Sequence, residues 1–542
     1  TSHTVILARS MNVPTLVGVQ EASARLQAGQ EIIVDANLGI VIPHVTEPLR
    51  RFYEQELRTL GAMHARLNCA GEAATTVDGL DLEIAANVGS AEEVSAAMER
   101  GADGIGLFRT EMLFMDRDTP PREEEQYEVY SEAARAARGA PLIIRLLDIG
   151  GDKPAPYLKF PAEANPFLGY RGVRIYAEHR DLLRAQFRAI LRASVSGDVR
   201  ILVPMICCVE EFQEVRKVAD ELRDELAAQG VAMGDVQIGA MLEVPSCAFQ
   251  MEELCDEADF FSIGSNDLTQ YFLAADRDNA KVSGIYSWAH PSFLRLLKQI
   301  VDVAHERGRW IGLCGEMADS SAALPILIAL GLDEISLASP RIPAVRRAVC
   351  NSQFSSCLQV FKQALECHTR AEVEELLRDF APVDRDLPLL APDLMLESTA
   401  TSKAEAIKEM TDALWLAGRA NSPHLVEEAV WQREDIYSTG FGFGFALPHC
   451  KSEQMTANSI VVAKLATPVA WGSTDQQPVD VIFLVAMRAS SYGKEHMRVF
   501  AQLSRMVMRE EFRDRVREIA DAQELIQFLK QSLSPGAPAP AK

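Results

Sequence analysis

Between about residue 80 and residue 340 the chain repeats one rhythm: a short, wholly apolar run, then a stretch whose apolar positions recur at helical spacing. The runs are Leu82–Val88, Gly104–Phe108, Leu142–Leu147, Ile201–Met205, Ile238–Val244, Phe260–Gly264, Trp310–Cys314 and Glu334–Ala338. Strands that are apolar at every position, rather than at every second one, are buried on both faces. Their alternation with helices makes them parallel. Eight such repeats over roughly 260 residues predict a TIM barrel. An open doubly wound sheet is the alternative.

The pattern changes on either side. Residues 14–19 and 31–35 read as short strands, and Glu47 to Asn68 as a long polar-apolar helix. Pro382, Pro388 and Pro392 mark a linker over 381–395. Beyond it lies a smaller α/β unit with helical stretches at 402–418, 424–433 and 494–508. It also has an alternating strand Ser459–Leu465 and a buried strand Val479–Met487. The tail, rich in Pro and Ala from Pro535, reads as disordered. The expected fold class is α/β. Its segments are an N-terminal piece (1–44), a helical connector (45–79), the barrel (80–380), the linker (381–395), the second α/β unit (396–533) and the tail (534–542). The chain opens on Thr1 without a Met, and Val5 to Ser10 is already helix-like. It reads as the continuation of a longer protein.

Composition narrows the function. The chain has 542 residues, with Lys+Arg 54 against Asp+Glu 77, so the formal charge is 54 − 77 = −23. That field repels nucleic acid and anionic membranes, although local Arg clusters still permit a phosphorylated substrate. No apolar run approaches the roughly 18–20 residues of a membrane span, so no membrane insertion is expected. Ten cysteines, with Cys207–Cys208 the only close pair, do not suggest a disulfide scaffold. A reducing, cytoplasmic setting is expected.

A barrel places catalytic groups at the C-terminal ends of its strands. Arg109 follows the second run, Arg145 closes the third and Glu243 ends the fifth. Asn266 and Asp267 follow the sixth with Arg277 in the same loop, and Cys314 ends the seventh. Singly, each has a bland reading as a surface charge, a paired carboxylate or a small buried hydrophobe. Together they are coherent. Two carboxylates on adjacent strands can hold Mg²⁺, three guanidiniums can clamp a phosphate and a carboxylate, and a thiol can donate a proton. The implied substrate is a small phosphorylated carboxylic acid. His3, after Thr1-Ser2 and ahead of a helix-like run, is a candidate phosphoryl acceptor.

These motifs resemble a known family. Thr1-Ser2-His3-Thr4, Gly106-Leu107-Phe108-Arg109-Thr110-Glu111, Asp148-Ile149-Gly150-Gly151-Asp152-Lys153, Asn165-Pro166-Phe167-Leu168-Gly169, Asn266-Asp267-Leu268-Thr269-Gln270-Tyr271 and Leu313-Cys314-Gly315-Glu316 together look like enzyme I of the bacterial phosphoenolpyruvate:sugar phosphotransferase system. The match covers residues 1 to about 350. The resemblance implies that His3 is the phosphorylated histidine, a tele-phosphohistidine, of a swivelling domain present here only in its C-terminal part. It implies that Arg109, Arg145, Asn266, Asp267 and Arg277 bind phosphoenolpyruvate. It further implies that Glu243 and Asp267 bind Mg²⁺, that Cys314 protonates the enol to pyruvate, and that the barrel forms a homodimer.

The second unit carries Gly440-Phe441-Gly442-Phe443-Gly444-Phe445-Ala446-Leu447-Pro448-His449. Its glycines could bring backbone N–H groups to an anion, with His449 as a phosphoryl carrier. The plain alternative is a Gly-rich turn with an incidental His. His496 opens a helix with an apolar stripe. From about 395 to 533 this unit resembles the fructose/mannitol-type enzyme IIA, which implies His449 as the carrier and His496 as its auxiliary neighbour. An enzyme I joined to such a unit is similar to the multiphosphoryl transfer proteins. The implied activity is that of a phosphoenolpyruvate-protein phosphotransferase. Its phosphoryl group would pass from His3 through the phosphocarrier HPr (separate or encoded upstream) to His449, and on to enzyme IIB of a fructose-type permease. A nucleotide-dependent pyruvate-phosphate dikinase or phosphoenolpyruvate synthase relative, and a phosphorylation-state regulator, are the rival readings.

Overall fold

The computed structural model describes residues 13–533 apart from 20–21, 37–38, 68–72, 116, 151–156, 159, 161–162, 278, 280, 283, 381–386, 421, 474 and 490–492. The side chains of 23, 62–67, 379 and 493–497 also fall outside the description. His3, the helix-like run Val5 to Ser10 and the tail from 534 therefore lie outside the described residues. The chain divides into two compact units. One holds Thr1–Ala24, Val34–Val41 and Leu67–Val383; the other holds Arg25–Ile33, Ile42–Arg66 and Asp384–Lys542. Among the described residues no helix is long and apolar enough to cross a membrane.

In the first unit eight parallel strands close into a barrel in chain order. They are β1 (Glu83–Val88), β2 (Ile105–Phe108), β3 (Leu142–Arg145), β4 (Val199–Val203), β5 (Ile238–Leu242), β6 (Phe260–Gly264), β7 (Trp310–Cys314) and β8 (Glu334–Ala338). β8 returns to β1 with Ile335 opposite Ile84, which rules out an open sheet. Each strand starts and ends within two residues of its apolar run. The runs are apolar throughout because both faces are covered. Ile144, Ile201, Val203 and Phe261 point into the core shared with the outer helices. Leu107, Ile143, Leu202, Met241, Phe260 and Cys314, one each from β2 to β7, form a separate inner cluster. After β6 the chain turns directly into helix α1 (Ser265–Leu273).

Residues 14–19 are not a strand. Pro14 cannot donate to a ladder, Gly18 takes a left-handed φ of +72°, and Val17 is exposed, so nothing fixes them as one. Ile33–Asp35 is a strand and pairs instead with Ile40–Ile42. The helix expected from Glu47 forms over Glu47–Leu67.

The second unit is a mixed sheet in the order β9-β13-β14-β11-β10, with β12 also pairing β14. The strands are β9 (Met395–Ser398), β10 (Gly440–Gly442), β11 (Phe445–Ala446), β12 (His449–Ser452), β13 (Ser459–Val469) and β14 (Val479–Arg488). Helices α2 (Lys403–Leu416) and α3 (Pro423–Ile436) supply one core, while α4 (Gly493–Val507), α5 (Glu510–Glu518) and α6 (Ala522–Leu533) supply the other. Ser459–Leu465 therefore does not alternate between core and water. Ile460 and Val462 enter one core, and Val461 and Ala463 the other.

Candidate active site

Arg145 ends β3 and is almost fully buried at the C-terminal end of the barrel. Its Nη2 ion-pairs with Glu111 and lies 3.5 Å from Asp148 Oδ2, and its Nη1 reaches Met241 Sδ at 3.8 Å. Its Nε is buried with no hydrogen-bond partner among the described residues. The strand end is held by side chains behind it. Thr110 Oγ1 donates to the Arg145 carbonyl at 3.0 Å, the Leu147 N–H donates to Gln186 Oε1 at 2.9 Å, and Tyr176 OH donates to the Leu147 carbonyl at 2.9 Å.

Sequence reasoning singled out Arg109, Arg145 and Arg277 but missed a fourth guanidinium, Arg171. It grips Asp148 with two bonds (Nε to Oδ1 at 3.1 Å, Nη2 to Oδ2 at 2.7 Å) and reaches Asp267 Oδ2 at 3.0 Å and Tyr271 OH at 3.2 Å. Tyr271 in turn donates to the Phe167 carbonyl at 2.5 Å. Arg277 Nη1 donates to the other oxygen, Asp267 Oδ1, at 3.2 Å. Asp267 thus sits between two guanidiniums, presented by the first turn of α1.

Glu243, just past β5, is 1% exposed, and its Oε1 accepts the Met205 N–H at 2.6 Å. Burial, with the Asp267 and Asp148 carboxylates beside it, pushes its carboxyl up to about 8, against the pull of Arg145 and Arg171. Asp148, Glu243 and Asp267 bring three carboxyl groups to one site, oxygen donors of the kind a hard divalent cation such as Mg²⁺ takes, with Asp148 and Asp267 held here by guanidiniums.

Cys314 ends β7 inside the barrel. Its Sγ is 3.8 Å from Ser262 Oγ, and burial pushes the thiol up to about 11. Arg109 follows β2 at the same end of the barrel, with its side chain exposed. Asn266 Oδ1 accepts the Glu316 N–H at 2.8 Å, and Ser265 Oγ donates to the Cys314 carbonyl at 2.7 Å. The loop after β7 can come this close only because Gly315 takes a φ of +115° and has no Cβ to strike Ser265. The structure thus places Arg109, Arg145, Glu243, Asn266, Asp267, Arg277 and Cys314 at one end of the barrel, with Arg145, Asp267 and Arg277 linked through Asp148 and Arg171.

In the second unit the glycine run forms a hairpin turn. Gly440–Gly442 and Phe445–Ala446 pair antiparallel around a tight turn, with Phe443 and Gly444 at φ of 57° and 82°. The Phe443 N–H, which a cradle would offer to an anion, donates to Asp475 Oδ2 at 2.8 Å. The hairpin delivers the chain to β12, whose first residue is His449. There the Nδ1 side of the ring faces the Leu447 carbonyl at 3.1 Å, and Nε2 accepts from Arg433 Nε at 3.0 Å. That pattern fixes the tautomer with its proton on Nδ1 and its lone pair on Nε2. Phe500 of α4 packs on the ring at 4.5 Å. Arg433 was not singled out from sequence, since only the pairing of α3 with β12 brings it near. His496 lies in α4, and its side chain is outside the described residues.

Known proteins align with these parts. Residues 65–354 match the PEP-binding domain of PEP-utilising enzymes, and residues 1–39 match their mobile domain. Residues 392–532 match the EIIA 2 family of the phosphoenolpyruvate-dependent sugar phosphotransferase system. The chain is 45% identical to Multiphosphoryl transfer protein 2 of Escherichia coli and 42% identical to Multiphosphoryl transfer protein 1 of the same strain. Each match covers 98% of this chain and 64% of the relative. It is 41% identical to a phosphoenolpyruvate-protein phosphotransferase of Staphylococcus aureus, over 70% of this chain and 67% of that protein. The chain thus spans just under two thirds of the multiphosphoryl transfer proteins it matches.

Proposed function

The chain belongs to the PEP-utilising enzymes, and from that premise we propose that it transfers the phosphoryl group of phosphoenolpyruvate to a histidine and relays it to His449. The observation that carries this reading is the barrel mouth itself. There a buried Arg145 whose Nε has no partner among the described residues, the fork of Arg171 and three carboxylates share one site with a buried thiol. Arg109, Arg145, Arg171, Arg277 and Asn266 bind the phosphate and carboxylate of the substrate. Glu243 and Asp267 would hold a Mg²⁺ ion, which when bound would offset the charge of the phosphoryl oxygens.

The acceptor is Nε2 of His3. The P–N bond forms as the P–O bond to the enol oxygen breaks, and the electron pair leaves on that oxygen. The Cys314 thiol passes its proton to the methylene carbon, releasing pyruvate, and the thiolate then recovers a proton from water. HPr carries the phosphoryl group onward to Nε2 of His449, where the Arg433 guanidinium meets its charge. His496 assists there, and an enzyme IIB of a fructose-type permease receives the group. A homodimer through the barrel and a cytoplasmic location follow from the family resemblance.

The test is labelling with radioactive phosphoenolpyruvate and Mg²⁺, with HPr and full-length enzyme I added separately. Label should reach His449 in an HPr-dependent manner and vanish from residues 396–533 in His449→Gln. Label persisting there in that variant, or never arriving in the parent chain, would overturn the relay.

A further inference from the structure

Cys207 and Cys208 lie on the loop that leaves β4, and Glu211 in the first turn of the helix Val209–Ala228 that follows it. We propose that they form a binding site for a thiophilic divalent cation of the zinc class, separate from the oxygen-donor set at the barrel mouth. The two sulfurs and a carboxylate oxygen all lie within 4.8 Å of one another, and all three residues are partly open to solvent. Tetrahedral coordination with metal–sulfur bonds of about 2.3 Å needs ligand atoms roughly this close.

The local fold explains how neighbouring residues aim at one point. Cys208 is the cap of a 20-residue helix, with extended φ and ψ of −151° and 163°. Glu211, three residues on, folds back so that one carboxylate oxygen accepts the Cys207 N–H at 2.7 Å. This is close to the reach of a capping glutamate, and it holds the carboxylate beside the two thiols. The backbone on the far side is pinned as well. Ser246 Oγ donates to the Cys207 carbonyl and Cys247 Sγ to the Ile206 carbonyl, both at 2.7 Å. The two cysteines therefore hang from a loop fixed at several points and Glu211 from the first turn of a helix, so a cation need not order them.

Donor chemistry selects the ion. Two thiolates and one carboxylate prefer zinc-like ions over Mg²⁺, which the oxygen set suits. Binding replaces the two S–H protons by two metal–sulfur bonds and releases both protons to solvent, with no change of oxidation state. Three protein ligands leave a fourth position for water.

Co²⁺ reports such a site directly, because thiolate coordination gives a sulfur-to-metal charge-transfer band. The full chain, with its thiols reduced, should bind one equivalent of Co²⁺ with that band. Zn²⁺ should then bleach it, and excess Mg²⁺ should not. Cys207→Ser and Cys208→Ser should each lose the band, Glu211→Gln should weaken binding, and Cys350→Ser with Cys367→Ser should keep it. Circular dichroism and thermal melting of each variant confirm that it is folded. Absence of a charge-transfer band in the parent chain, or its survival in the folded Cys207→Ser, Cys208→Ser double variant, would overturn the site.

Discussion

Glu334 is a carboxyl placed where a barrel usually carries an aliphatic side chain. It lies on β8 at 3% exposure, and Gly106 and Gly312 leave it room: a Cβ at Gly106 would strike its carboxyl, and one at Gly312 would come within 3.2 Å. Burial, with Glu83 beside it, pushes the group up to about 8. An unfolded glutamate ionises near 4.3, whereas the folded one keeps its proton to about 8. The folded state therefore binds more protons across that window, so this group's contribution is intact at acid pH and lost as pH rises through about 8. Glu334→Gln should melt close to the parent at pH 4.5 and clearly above it at pH ~8.5. An equal difference at both pH values, by calorimetry, would exclude the carboxyl as the cause. Cys314 is raised in the same way, and a raised thiol keeps the proton it must deliver. Cys314→Ser should retain Mg²⁺-dependent phosphoenolpyruvate binding and release pyruvate on the order of 10²–10⁴ more slowly. Pyruvate release at the parent rate would assign the proton to another group. Residues of this kind were legible because a barrel puts chemistry at strand ends. Arg171 was not, because it stands deep in the loop after β3, past the one-turn helix Pro166–Leu168, where only the fold returns it to Asp148 and Asp267.

Among elements, the barrel strands could be read because burial on both faces writes an unbroken apolar run. The same logic corrects β13: Ser459–Leu465 suggests alternation, yet helices on both faces make nearly every position buried. The short strands β9 to β12 left no periodic trace, and β9 lies at the edge of what reads as a proline linker. α5 and α6 were likewise missed. The glycine run serves a hairpin turn, which the motif alone did not reveal. At Gly444, φ is +82° and a Cβ would lie 2.6 Å from Arg517 Nη2 and from Asp480 Oδ1. Gly444→Ala should therefore destabilise the second unit by about 1–3 kcal/mol, read as a lower melting transition. HPr-dependent labelling of His449 should survive in the folded variant. A loss of labelling at unchanged stability would instead favour a direct role for the glycine backbone in holding the phosphoryl group.

At the scale of the whole molecule, the helix Glu47–Leu67 reads in sequence as a spacer, because its amphipathic pattern does not say which core it serves. In the structure Ile42–Arg66 groups with Asp384–Lys542. A buried charge cluster accounts for this. Lys408 of α2 is 2% exposed, ion-pairs with Glu56 and with Asp412 (3.3 Å), and lies 4.8 Å above the Phe52 ring. Thr59 Oγ1 donates to Asp412 Oδ2 at 3.0 Å. Burial pushes Asp412 up even with this cation beside it, a sign that desolvation is costly there. Removing the lysine alone strands two carboxylates, and breaking such a buried pair costs about 3–5 kcal/mol. In a unit of this size Lys408→Ala should lower one calorimetric transition by on the order of 10 °C. The barrel has a core of its own, so its transition should stay in place. Combining Lys408→Met with Glu56→Gln and Asp412→Asn, which removes the charges together, should recover much of the loss, since an apolar replacement of a buried pair is often neutral. If Lys408→Ala shifted both transitions equally, the helix would be coupled to both cores and not to the second alone. If it shifted neither, the cluster would not hold the helix at all.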